Sequence, residues 1–185
     1  MKGRTIMFKR LLLLIAVSFV MADAAMAQDA RFPAVPGYGP IVPMPDAARQ
    51  PDPAIRYRAV FNITKGATDA SQPNPSLVKV SRFLNLLATR NVRPAAGDIV
   101  AIVHGPATPL VMSDAAYRAK FGIANPNLPL IAALKSAGAR VEVCSQALHG
   151  NKISADMVST DVSVDLSALT TLAALQIQGF ALIPD

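Results

Sequence analysis

The chain predicts an α/β fold: a three-layer α/β/α sandwich around a doubly wound, mostly parallel sheet of about five strands. Three observations predict it. Apolar runs of strand length alternate with amphipathic helical patterns from residue 56 onward. Asp98-Ile-Val-Ala-Ile-Val103 is continuously apolar between Gly97 and His104-Gly105-Pro106, the pattern of a strand covered on both faces and hence of a parallel sheet. Helix signals fall where the alternation needs them, with Pro129 in one first turn and Gly138 just past that helix's end.

Arg58-Ala-Val-Phe-Asn-Ile63 reads as the first strand, and the loop after it carries Gly66, Pro73 and Pro75. Ser76 is expected to cap a helix with Leu77, Val80, Leu84 and Leu87 on one face and Lys79, Arg82 and Asn85 off it. Arg90 falls in the expected last turn, where a cation suits the helix dipole. The second strand, 98–103, is followed by a short helix over 113–121 and another over 127–137. Arg140-Val-Glu-Val-Cys144 is the third strand. Beyond it the pattern weakens to a short helix within 146–157 and a brief strand near 162–164. Asp165 or Ser167 caps a final helix with Leu169, Leu172, Leu175 and Ile177 on its apolar face. It ends at Gly179, and Phe180-Ala-Leu-Ile183 closes the sheet.

Two segments precede this domain, which spans residues 56–185. Residues 1–27 read as a secretory signal peptide: Lys2, Arg4, Lys9 and Arg10 form a basic start, Leu11 to Ala22 an apolar stretch, and Ala25-Met26-Ala27 a small-x-small cleavage site. There is no twin-arginine pair, which points to the general secretory route and a periplasmic location. No cysteine follows the apolar run, so a lipid anchor is excluded, and no stable membrane insertion is expected after cleavage. Residues 28–55 read as a proline-rich tether, extended or disordered, because Pro33, Pro36, Pro40, Pro43, Pro45, Pro51 and Pro53 interrupt helix and sheet alike.

Cleavage before Gln28 takes 27 of the 185 residues and leaves 158, the size of one domain. It also removes four basic residues and one acidic one, so the net charge falls from +6 to about +3, with 14 basic and 11 acidic side chains remaining. With no basic run and no Trp, nothing argues for nucleic-acid binding.

In a parallel sheet, ligands bind outside the carboxyl ends of the strands. Lys65, His104 and Cys144 each follow or end a strand, so they are expected to share that edge. Cys144 is the chain's single cysteine and cannot form an intramolecular disulfide. A thiol at a helix amino terminus beside a lysine or histidine has a lowered pKa and reacts as a thiolate. The competing reading is a small hydrophobe packed at a strand end. His104, His149 and Cys144 have the chemistry of zinc ligands but no metal-site spacing. Neither a nucleotide-binding glycine loop nor a G-x-S-x-G elbow is present, and no cofactor is called for.

Four ordered blocks carry a resemblance: Gly97-Asp-Ile-Val-Ala-Ile-Val-His-Gly-Pro106; Asn125-Pro-Asn-Leu with Lys135-Ser-Ala-Gly138; Val141-Glu-Val-Cys-Ser-Gln-Ala-Leu148; and Leu166 to Gln176 with Gln178-Gly-Phe-Ala-Leu-Ile183. Together they resemble the DsrE family of sulfur-metabolism proteins, from about Tyr57 onward. The resemblance implies a doubly wound domain that assembles into trimers or hexamers. It also implies a cysteine at the position of Cys144 that accepts sulfur as a persulfide and passes it on. The sequence after Cys144, Ser-Gln-Ala-Leu-His-Gly150, departs from the arginine-glycine turn of the relay subunits.

Two functions follow as expectations. One is a periplasmic sulfur carrier or sulfurtransferase, with a persulfide on Cys144, Lys65 or His104 stabilising the thiolate, and a sulfur donor or acceptor protein as partner. The other is a non-catalytic homo-oligomer of the same fold that binds a small ligand or serves as a scaffold. A positive neighbour separates them, and Lys65 and Lys152 are the lysines expected within reach of the thiol.

Overall fold

The computed structural model describes residues 31–185; the expected signal peptide, 1–27, lies outside the described residues. Five short apolar segments form strands β1 (Ala59–Ile63), β2 (Ile99–Val103), β3 (Arg140–Cys144), β4 (Ser163–Asp165) and β5 (Ala181–Ile183). Between them lie helices α1 (Pro75–Ala88), α2 (Asp114–Phe121), α3 (Asn127–Ser136), α4 (Ser145–Gly150) and α5 (Ala168–Ile177). All four ladders are parallel, in the order β4-β3-β2-β1-β5.

The order explains the layers. From β1 to β4 the chain steps outward in one direction; from β4 to β5 it returns across the sheet to the far side of β1. Because parallel crossovers are right-handed, reversing the direction moves the crossover helix to the opposite face. Odd-numbered positions Ala59, Phe61, Ile63, Ile99, Ala101, Val103, Val141 and Val143 share a buried cluster with Leu77, Val80 and Leu84 of α1, Tyr117 of α2 and Leu130, Ile131 and Leu134 of α3. Even-numbered Val60, Val100, Ile102 and Cys144 cluster instead with Ala168 and Leu175 of α5 and with Phe180. The period-two alternation of strands therefore sorts residues between a thickly and a thinly covered face.

Several details differ from the sequence reading. The cap of α1 is Asn74, whose side chain accepts from the Ser76 N–H at 2.9 Å, with Pro75 as the first helical residue. Proline suits that position because its missing N–H would have had no partner. α1 stops at Ala88 with Thr89 as its C-cap, so Arg90 lies beyond the last turn. A 3₁₀ segment, Gly105–Val111, follows β2 where no helix was expected. Of the two caps expected for the final helix, Asp165 and Ser167, the structure has Ser167, which accepts from the Leu169 N–H at 3.2 Å.

The proline-rich stretch, within 31–55, makes no helix or named strand, as its prolines require, but part of it docks instead of hanging free. Arg31 and Ile41 pair across a tight bend, and Val35 is fully buried in the α1-side cluster. Asn85 holds this bend. Its Oδ1 accepts from the N–H groups of Ala34 and Val35, both at 2.8 Å, and its Nδ2 donates to the carbonyls of Tyr38 and Gly39. A buried amide off the apolar stripe of α1 thus satisfies four backbone groups that prolines leave without ladder partners.

Candidate functional site at the carboxyl edge of the sheet

Ile63 pairs with Val103 and Val103 with Val143, so Thr64, His104 and Cys144 follow one another across the edge. Lys65 comes one residue after Thr64. β2 lies between β1 and β3, which separates the Lys65 and Cys144 backbones by about two strand spacings, roughly 10 Å. Lys65 is exposed, and its N–H donates to Asp185 at 2.6 Å. Lys152 lines a cavity of about 240 Å³ with Met112, Ala116, Lys120 and Met157, among whose lining residues Cys144 does not figure. His149 is exposed on α4. Of the residues singled out, the structure brings His104 closest in register to the thiol.

His104 is half-buried, and its Nε2 lies 2.6 Å from Asn62 Oδ1. An amide oxygen accepts, so this contact puts the imidazole proton on Nε2 and leaves Nδ1 as an acceptor. Burial lowers the pKa of His104, and the charge of Asp185 opposes that shift. At neutral pH the ring is a neutral base.

Cys144 ends β3 and caps α4, its Sγ accepting from the Ala147 N–H at 3.4 Å. It is only 5% exposed. Around it are Val100, Ile102 and Ala168, with Ala147 packed alongside. Its paired residue on β4 is Asp165, and Glu142 lies two residues back on the same sheet face. Asp165 accepts from the Thr171 hydroxyl at 2.8 Å, and Glu142 meets Arg140 Nε at 3.1 Å. Burial raises the Glu142 pKa to about 7; the charge of Asp165 and a hydrogen bond with it add to the rise, and Arg140 opposes it. In register, the thiol therefore has His104, whose ring contacts Asn62, one strand away on one side and the Glu142–Asp165 carboxyl pair on the other.

Sequence reasoning missed Asn62, Glu142, Asp165 and Asp185. Glu142 was findable: period-two alternation within β3 puts it on the same face as Cys144, and a charged residue inside a buried strand calls for a partner, whereas Asn62 needed the β1–β2–β3 register. Asp165 needed the β3–β4 register, and Asp185 carried no pattern at all.

A family model, DsrE/DsrF-like, matches residues 60–184. The chain belongs to the DsrE/DsrF-like family. This membership suggests a sulfur-related function. Among solved structures, a protein of unknown function from Methanobacterium thermoautotrophicum is similar at 22% identity and a TM-score of 0.51, covering 70% of this chain and 99% of that one. At that identity the likeness concerns the fold, and it agrees with the all-parallel five-stranded sheet found here. No curated protein matches the chain.

Proposed function

We propose that this DsrE/DsrF-like protein handles sulfur in the periplasm and carries it as a persulfide on Cys144. The observation that supports this most directly is the placement of the single thiol: at a strand's carboxyl end, with a backbone N–H on its sulfur and a neutral imidazole one strand away. In the step proposed, the Cys144 thiol gives its proton to His104 Nδ1. The thiolate attacks the outer sulfur of a sulfane donor, the donor's S–S bond breaks, and the remainder leaves with the electron pair. A second thiol on an acceptor then takes the outer sulfur by the same exchange. No cofactor takes part.

Assembly belongs to the same proposal. α5 carries no charged residue, yet Leu169 and Ile177 are 81% and 87% exposed, and Leu166, just before the helix, is exposed as well. A homo-oligomer, a trimer or hexamer, would cover them; light scattering at micromolar concentration should give a multiple of the chain mass, and Leu169→Asp should lower it.

One observation favours the second reading, a non-catalytic ligand-binding oligomer: the thiol is nearly enclosed. Intact mass after exposure to polysulfide separates the two. The carrier gains one sulfur atom that dithiothreitol removes, and Cys144→Ser gains none. That variant should fold normally, within about 1 kcal/mol of the native protein, because serine is a favoured N-cap and keeps the Ala147 N–H bonded. Native protein that stays at its unmodified mass supports the binding module instead.

A further inference from the structure

Two residues past β5, Asp185 turns onto the connection between β1 and α1. Its Oδ2 accepts from the Thr64 N–H at 2.7 Å, the Lys65 N–H at 2.6 Å and the Thr64 hydroxyl at 3.1 Å. Its Oδ1 accepts from the Ser76 hydroxyl. Lys79 donates from Nζ to the Pro184 carbonyl at 3.2 Å. Four donors thus converge on a single carboxylate.

These donors are held in place independently of Asp185. Asn74 Nδ2 donates to the carbonyls of Lys65 and Gly66 at 3.1 and 3.2 Å, fixing the loop from behind. The Asn74 N–H is bound by Asn127 Oδ1 at 2.8 Å, Asn127 donates to Asn125, and Asn125 is anchored on the carbonyls of Leu110 and Met112. All three asparagines are buried. Gly66 is required because a Cβ there would sit 2.8 Å from the Pro106 carbonyl oxygen. The loop is therefore a rigid cradle of two successive N–H groups and two hydroxyls. It lies outside the carboxyl ends of β1 and β5, where the strand order reverses, the place open α/β sheets use for ligands. In the segment that fills it, Pro184 is exposed and its carbonyl accepts from Lys79.

We infer that this cradle is a binding site for a small oxyanion, of the phosphate, sulfate or carboxylate class, and that Asp185 is its internal competitor. The Asp185 carboxylate presents to the donors what such an anion would present: negative oxygens with free lone pairs. Burial by itself would raise its pKa, but the hydrogen bonds from Ser76, Thr64 and Lys65 outweigh this and bring it to about 2. The plug therefore stays charged through the physiological range. A tethered competitor acts at an effective concentration on the order of millimolar, and the affinity of any free anion is divided accordingly. No donor of the cradle belongs to β3 or α4, but the charge of Asp185 also acts on His104.

The test is an amide NMR titration of the full mature chain with inorganic phosphate, and separately with sulfate, on native protein and on Asp185→Ala. The expected result is movement of the Thr64 and Lys65 resonances in the variant with an affinity at least about tenfold above the native one. Adding Ser76→Ala to the variant should weaken that binding again. Thr64 and Lys65 resonances unmoved in Asp185→Ala, or equal affinities in the two proteins, would overturn the inference. Should Asp185→Ala fail to fold, Asp185→Asn makes the same comparison, keeping one acceptor oxygen for the loop and removing the charge. Sulfur loading of Cys144 is scored separately, by mass on the native protein, so that failure of the anion site and failure of the carrier are told apart.

Discussion

On one face of the sheet α1, α2, α3 and the docked proline segment leave Leu77, Leu130 and Ile131 without solvent contact; on the other, α5 buries only Ala168 and Leu175 and turns Leu169 and Ile177 outward. The polar groups divide the same way. Asn62, His104, Glu142, Cys144 and Asp165 all belong to the thinly covered face, whereas the strand positions facing α1 and α3 are apolar throughout. The closed face supplies stability. The open face keeps titratable groups near the surface, where their protonation can change, and leaves apolar area for another surface to cover.

The largest test of this contrast pairs two leucines. Leu130→Ala should cost about 2–5 kcal/mol in urea unfolding, whatever the protein concentration, because it empties space in a packed core. The cost of Leu169→Ala should depend on concentration and shrink below about 0.5 kcal/mol once the protein is diluted to monomers. Equal, concentration-independent losses would mean the two faces are alike after all. Next in size is Asn85→Ala, which leaves the bend at 34–39 without its four hydrogen bonds. A loss of about 1–3 kcal/mol is expected, with protease cleavage within 31–50 appearing before global unfolding; an uncut segment would show that Val35 alone holds it. The smallest effect is on pH dependence. Glu142 has a raised pKa when folded, so the folded chain binds the extra proton between its ordinary carboxyl range and about 7. That contribution is complete below about 4.5 and is lost as pH rises through 7, with a slope of at most about 1.4 kcal/mol per pH unit. Glu142→Gln should flatten the slope, as followed by thermal unfolding from pH 5 to 8. An unchanged slope would place the titration elsewhere.

Much of the fold was legible because local patterns agreed with it. The apolar run of β2, the 3.6-residue spacing of α1, and the Pro129 and Gly138 signals of α3 each state their element without reference to distant residues. Where a long-range partner decided, the sequence misled. Asn74 takes the cap expected of Ser76, since Pro75 fits only the first helical position and the Asn74 N–H is held by Asn127. The proline-rich stretch looked like a spacer because no local pattern records that Asn85, some fifty residues away, would satisfy its backbone. Cys144, His104 and Lys65 were correctly assigned to one edge from topology alone, but their order across it, with β2 between Lys65 and the thiol, needed the strand order.

By itself, then, the sequence determined the elements and the parallel sheet, and it marked Cys144 as the one thiol available for chemistry. These follow from hydrophobic periodicity and backbone sterics, which act over a few residues. The tertiary structure alone decided the rest: which face each alternating residue meets, that Asp165 and Glu142 sit beside the thiol, and that Asp185 fills the loop after β1. Such pairings join positions up to 121 residues apart. They depend on strand order and register, which are settled only when the layers pack and each buried polar group finds its partner.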